Sequence, residues 1–192
     1  MKTRKWIFAI MLATPLMWVA CNDDDDDNGG KKSLNTTDET FVESAARGNK
    51  AEIDMGNVAI LKATDSLVRD FAQKMITEHT MAQNELQDIS DDFSGVSWPN
   101  SLDQNQSSMK AQLDSTEAGY AFDTLYLNTQ IKLHQNAVST FQTATTSTTE
   151  SRLKSYATKY LPKIQAHLSE VDSLQMEVSA NGSAANDSTS TE

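Results

Sequence analysis

A chain of 192 residues, 38% of them apolar, can bury the core of one domain but not comfortably that of two. Its 16 Lys and Arg face 27 Asp and Glu, a net charge of -11, so a phosphate-binding surface would have to be built against the protein's own field, and nucleic acid is not an expected partner. Seven Gly, three Pro and almost no strand-type alternation point to an all-α fold, while a single cysteine excludes an internal disulfide framework and any Cys-rich metal site.

Lys2, Arg4 and Lys5 precede the apolar run from Trp6 to Ala20, which has the basic and apolar regions of a secretory signal and is too short to span a membrane. Residues 1–20 are therefore expected to be removed. The run ends Trp18-Val19-Ala20-Cys21 and so resembles the lipobox of bacterial lipoproteins, in which cleavage before the cysteine leaves it lipidated. That makes Cys21 the expected lipidation site, the membrane a partner through the lipid anchor, and the outer membrane of a cell envelope the address. Asn22, the run Asp23 to Asp27 and Gly29 to Lys32 cannot bury apolar surface, so residues 21–37 are expected to be an acidic, flexible tether. The acidic run also resembles the surface-export signals of some Gram-negative lipoproteins, and it reads equally well as a solvated spacer.

Residues 38–178 carry helical periodicity. A first helix is expected from Thr40 to Ala63, announced by the spacings Thr36-x-x-Glu39 and Thr40-x-x-Glu43 of capping boxes, with Phe41, Ala45, Gly48, Glu52, Met55 and Ala59 facing inward. A second follows with Asp65 as N-cap and Val68, Ala72, Met75, His79, Ala82, Leu86 and Ile89 on an a/d seam. Gly95 to Pro99 break the pattern, and Leu102 to Leu113 read as a short extra helix or a long connection. A third long helix, from about Glu117 to Ala144, places Tyr120, Thr124, Leu127, Ile131, His134, Val138 and Phe141 on one seam. Ser147-x-x-Glu150 is the expected cap of a fourth, whose seam is Leu153, Ala157, Tyr160, Ile164, His167, Val171, Leu174 and Val178, with Pro162 bending it rather than ending it. Two antiparallel hairpins with a longer connection make a four-helix bundle. Residues 179–192, rich in Ser, Thr, Asn and Ala, read as a disordered tail.

His79, His134 and His167 are the only histidines in the chain, and each falls on the seam of a different helix. Glu52 falls on the inner stripe of the remaining one, where a buried carboxylate needs a cation, a proton or hydrogen-bond donors. Neutral imidazoles and one carboxylate suit a single zinc, iron, copper or nickel ion. Reflecting each hairpin about its turn offsets His79 from Glu52 by about 4.5 Å and His167 from His134 by about 10 Å along the axes. The competing reading has three core histidines bonded to Glu52, Asp123, Tyr126 or backbone.

The segments Phe41-Val42-x-x-Ala45-Ala46-x-Gly48-x-x-Ala51-Glu52, Phe71-Ala72-Gln73-Lys74-Met75-Ile76-x-x-His79, Phe122-Asp123-x-x-Tyr126 and Leu161-Pro162-x-x-x-x-His167-Leu168 resemble the bacterial domain of unknown function 4142, over about Asp38 to Leu174. The resemblance implies a ferritin-like four-helix bundle of the cell envelope with no established reaction. The residues three before the histidines are Ile76, Ile131 and Ile164, which departs from the Glu-x-x-His pairs of di-iron bundles and argues for one histidine-rich ion.

Two functions follow: an envelope protein that binds or senses a transition metal through Glu52, His79, His134 and His167, or a structural or interaction module with packing histidines and an unidentified protein partner. Catalysis would need an open coordination position with Asp123, Tyr120 or Tyr126 beside it as acid or base, and no nucleophile motif supports it.

Overall fold

The computed structural model describes residues 30–187, with side chains described to residue 181. The expected signal segment, Cys21, the aspartate run and residues 188–192 lie outside the described residues. The described residues from Lys31 onward make a compact unit of their own. Five α-helices run in order: α1 Thr36–Lys62, α2 Ser66–Ser90, α3 Gln104–Ser115, α4 Tyr120–Ser147 and α5 Ser151–Asp187. Among the described residues there is no strand, only one parallel bridge between Ser33 and Ser94, and no described helix is long and apolar enough to cross a membrane.

Short turns fold α1 back on α2 and α4 back on α5. Each of these pairs is in close contact, α1 also lies on α4 and α2 on α5, and α3 rests against α1 and α4. The N-cap of α1 is Asn35, whose side chain accepts from the Asp38 amide at 3.0 Å, so the helix starts four residues ahead of the expected Thr40. Asp65 caps α2 as expected. The Leu102 to Leu113 region is a helix, α3, closed by a capping box between Asp103 and Gln106. Ser147 ends α4 instead of capping α5; it is Glu150 whose carboxylate accepts the Arg152 amide at 3.2 Å. Pro162 lies on the exposed face of α5, where the carbonyl deprived of its donor can meet water, so the helix runs through it. It also runs past Val178 to Asp187. At the other end, Leu34 is buried and Ser94 donates its amide to the Lys32 carbonyl at 3.1 Å, so the last part of the expected tether is pinned to the chain that follows α2.

Two buried carboxylates hold the turns reciprocally. Asp38, at the start of α1, accepts from the Thr149 amide (2.9 Å), the Thr149 hydroxyl (2.8 Å) and the Glu150 amide (3.1 Å) in the α4–α5 turn. Asp123, at the start of α4, accepts from the Thr64 amide (3.0 Å), the Thr64 hydroxyl (2.7 Å) and the Asp65 amide (3.0 Å) in the α1–α2 turn. Each charge is satisfied by donors that would otherwise be orphaned at a helix end.

The apolar interior is divided. One cluster gathers Phe41, Val42, Leu86, Phe141, Leu153 and Tyr156; the other gathers Met55, Phe71, Met75, Phe122, Tyr126 and Val171. Between them, in every long helix, stand buried polar side chains: Asn49 and Glu52, His79, Gln130 and His134, and His167.

Candidate metal centre

A polar layer through the middle of a core costs stability unless its groups satisfy one another. Here His79 arrives from α2, His134 from α4 and His167 from α5, with ring centroids 5.4 to 5.8 Å apart. One nitrogen from each lies within 4.8 Å of the others. The remaining nitrogens face outward onto acceptors. His79 Nδ1 is 2.9 Å from Asn49 Oδ1, His134 Nδ1 is 3.0 Å from the Gln130 carbonyl and 3.5 Å from Glu52 Oε1, and His167 Nε2 is 3.1 Å from Glu78 Oε2. An acceptor on the outer nitrogen requires the proton to sit there, which leaves a lone pair on the inner one.

The three lone pairs then point at one another. His134 Nε2 and His167 Nδ1 are 3.4 Å apart, and neither can donate to the other while both outer nitrogens hold their protons. His79 Nε2 is buried with no hydrogen-bond partner among the described residues, an uncommon state for an imidazole. A cation among these atoms turns lone-pair repulsion into coordination. Nitrogens bound at metal–ligand distance to one tetrahedral ion are separated by about 3.3 Å, close to the 3.4 Å between His134 Nε2 and His167 Nδ1, and the His79 nitrogen lies within 4.8 Å of both. The residues present therefore fit a metal ion.

Burial, followed by the charges of His134 and His167, holds the His79 imidazole well below its ordinary value of 6.5. His167 is lowered for the same first reason, with Glu78 opposing. Neutral imidazoles are thus ready for a metal at neutral pH. Glu52 is raised above its ordinary 4.5 by burial, against the pull of His134 and the Gln130 side chain. The signs separate cleanly: the two histidines bind fewer protons folded than unfolded, so their contribution is full above about 6.5 and fades as the pH falls below it. Glu52 binds more protons folded than unfolded, so stability is lost as the pH rises from about 4.5 through its raised value. Glu52→Gln should accordingly make the metal-free protein more resistant to urea at pH 8, with the gain shrinking towards pH 4.5. A gain that is constant across that range would show that the carboxyl titrates alike in the folded and unfolded chain, without the raised value.

The site residues expected from sequence do not all meet. Glu52 is not among the three converging nitrogens; its Oε1 stands behind His134, on the outer nitrogen, because the His134 ring is turned with Nε2 towards His167. Tyr126 is fully buried, its hydroxyl has no hydrogen-bond partner among the described residues, and burial and the Glu52 charge push its pKa well up. Asp123 is not a neighbour of the histidines, since its carboxylate is wholly taken up by the α1–α2 turn. Tyr120 is 47% exposed at the very start of α4, a correction to its place on the seam. Sequence reasoning missed Asn49, Gln130 and Glu78, the acceptors that orient the rings. Reflection of His79 about the α1–α2 turn does land on Asn49, so that signal was present.

The sequence profile described as Domain of unknown function (DUF4142) matches residues 25–174. No curated protein matches by sequence. Among solved structures, a DUF305 fragment from Deinococcus radiodurans superposes with a TM-score of 0.67 at 10% identity, over 76% of this chain and 99% of that one. A DUF305 protein from Streptomyces coelicolor gives 0.64 at 15% identity, over 74% and 94%. CopM in its Cu(II)-bound form gives 0.63 at 18% identity, over 73% and 96%, and CopM is also described in an Ag-bound form. At these identities the likeness is one of fold.

Proposed function

We propose that this chain, which belongs to the DUF4142 family, binds one copper ion through His79, His134 and His167 on a ferritin-like four-helix bundle held at the cell envelope. The observation that supports this most directly is the set of three buried imidazoles whose outer nitrogens rest on acceptors, so that three inner lone pairs converge. An all-nitrogen donor set suits copper, and Cu(II) heads the stability order of the divalent first-row metals. The fold shared with CopM, which is described in Cu(II)- and Ag-bound forms, favours the same choice. Glu52 behind His134 and Glu78 behind His167 place two carboxylates where they balance a divalent charge and make the imidazoles better donors. A reaction is not part of this reading, because Asp123 and Tyr120, two of the groups that would serve as acid or base, are placed elsewhere.

The experiment is elemental and calorimetric titration of protein purified without a histidine tag or chelator. One equivalent of Cu(II) or Ag(I) should be taken up, with an excess of about 100-fold over the dissociation constant adding about 2.7 kcal/mol of stability. If chelated and copper-, silver-, zinc-, nickel- and iron-loaded samples melt alike without stoichiometric uptake, the histidines are packing residues and the interaction-module reading replaces this one.

The envelope address rests on Cys21 and the signal before it. Lipidation there would anchor the mature chain, with the acidic segment spacing the helical domain from the bilayer. Cys21→Ser should move the protein from the membrane to the soluble fraction, and a native N-terminus found by mass spectrometry without lipid would refute the anchor.

A further inference from the structure

A buried ion needs a route to its ligands. A cleft of about 270 Å³ opens between α1, α3 and α4, and its lining includes Gly48, Glu52, His79, Leu133 and Asn136. Two of these, Glu52 and His79, carry the buried atoms Oε2 and Nε2 that have no hydrogen-bond partner among the described residues. On the opposite side, the gap bordered by Glu78, Tyr160, Lys163 and His167 holds only about 10 Å³, room for about one water. Asp103, the N-cap of α3, adds a second acid to the cleft, while the one cation of its lining, Arg47, is paired with Glu43 and donates to the Ser101 carbonyl, so the lining acids favour a cation over an anion.

Gly48 stands at a point of the cleft where packing does not explain it. A Cβ built there meets no atom within 4 Å, whereas one built at Gly56 would lie 2.8 Å from Ile76 Cγ1. Gly56 is thus needed for the close approach of α1 and α2. Gly48 lies inside a helix, where glycine in place of alanine costs about 1 kcal/mol, and what its bare backbone leaves behind is open space beside His79 and Glu52.

We infer that the cleft between α1, α3 and α4 is the entrance through which the cation reaches and leaves the three histidines, and that Gly48 keeps it open. This inference rests on the metal-binding reading above. The incoming ion sheds water against the polar wall and meets Glu52 Oε2 and His79 Nε2 before it settles between His134 and His167.

Gly48→Leu is the test, because the larger side chain enters open space and replaces a poor helix former with a good one. Stopped-flow mixing with Cu(II) in a weakly coordinating buffer measures entry, and mixing the loaded protein with a strong chelator measures exit. Plugging a path raises a barrier without changing its end states, so both rates should fall by the same factor, about tenfold or more, at an unchanged dissociation constant. Asn136→Phe, from the exposed α4 wall, should do the same and serves if the first variant does not fold. Unaltered rates in the folded variants, or a changed affinity with unchanged entry, would overturn the entrance. Failure of the wild-type protein to take up Cu(II) at equilibrium would overturn the metal-binding reading itself, so the two failures are told apart.

Discussion

His134→Gln should abolish the copper-dependent rise in melting temperature while leaving a folded helical protein. His134 is the centre of the polar layer: it is 1% exposed, its Nδ1 is held by the Gln130 carbonyl, and its Nε2 lies 3.4 Å from His167. Glutamine keeps much of the volume and retains polar atoms, but its amide oxygen is a far weaker copper ligand than an imidazole nitrogen. The loss should exceed the roughly 10- to 100-fold that removal of an outer hydrogen-bond partner brings, which sets an order among variants. Asn49→Ala and Glu78→Gln, which release the outer nitrogens of His79 and His167, should weaken copper yet leave a measurable shift. Isothermal titration of the three variants, with circular dichroism of each metal-free form, checks the order. Equal affinities for His134→Gln and wild type would show that copper, if bound, sits elsewhere.

The helices were legible because burial follows the 3.6-residue period. In α5 the expected seam is buried at Leu153, Ala157, Tyr160, Ile164, His167, Val171 and Val178. In α4 the expected seam runs through Ile131 and Val138, which are only partly buried, while the stripe that faces inward runs through Phe122, Tyr126, Gln130, Leu133 and His134. Two polar residues, Asp123 and Gln130, lie on that inner face, and apolar periodicity cannot see them. The gap of about 10 Å expected between His134 and His167 came from placing the turn at Ser147. The turn spans Thr148 to Glu150, and centring it there leaves His167 only about 4.5 Å beyond His134, a gap that closes because both side chains lean toward their own helix N-termini and so toward each other. The orienting acceptors were harder still, since Asn49 and Glu78 look like ordinary helical polar residues. One regularity does betray Asn49: it follows Asp38 at the spacing by which His134 follows Asp123, and both face His79.

Asp123→Ala should destabilise the protein without weakening its hold on copper, and this separates the two roles that sequence and structure give that residue. Its carboxylate is 2% exposed and takes three hydrogen bonds, two of them from backbone amides of the α1–α2 turn. Removing it takes the acceptor from the Thr64 and Asp65 amides and the Thr64 hydroxyl, and because Thr64 is exposed, water replaces part of what is lost. Hydrogen bonds to a charged group are worth about 1.5–3 kcal/mol each, so a net loss of about 2–3 kcal/mol is expected. The turn joins the helix that carries Asn49 and Glu52 to the one that carries His79, but it lies at one end of the domain, with a core cluster between it and the histidine layer. Urea denaturation of metal-free protein should therefore show a large drop in midpoint, and copper titration of the still-folded variant an affinity close to wild type. Asp123→Asn, which keeps one acceptor oxygen, should fall between. If affinity drops in step with stability in both variants, Asp123 acts on the metal after all, and its position in the turn would be a means of setting the register of α2 and so the reach of His79.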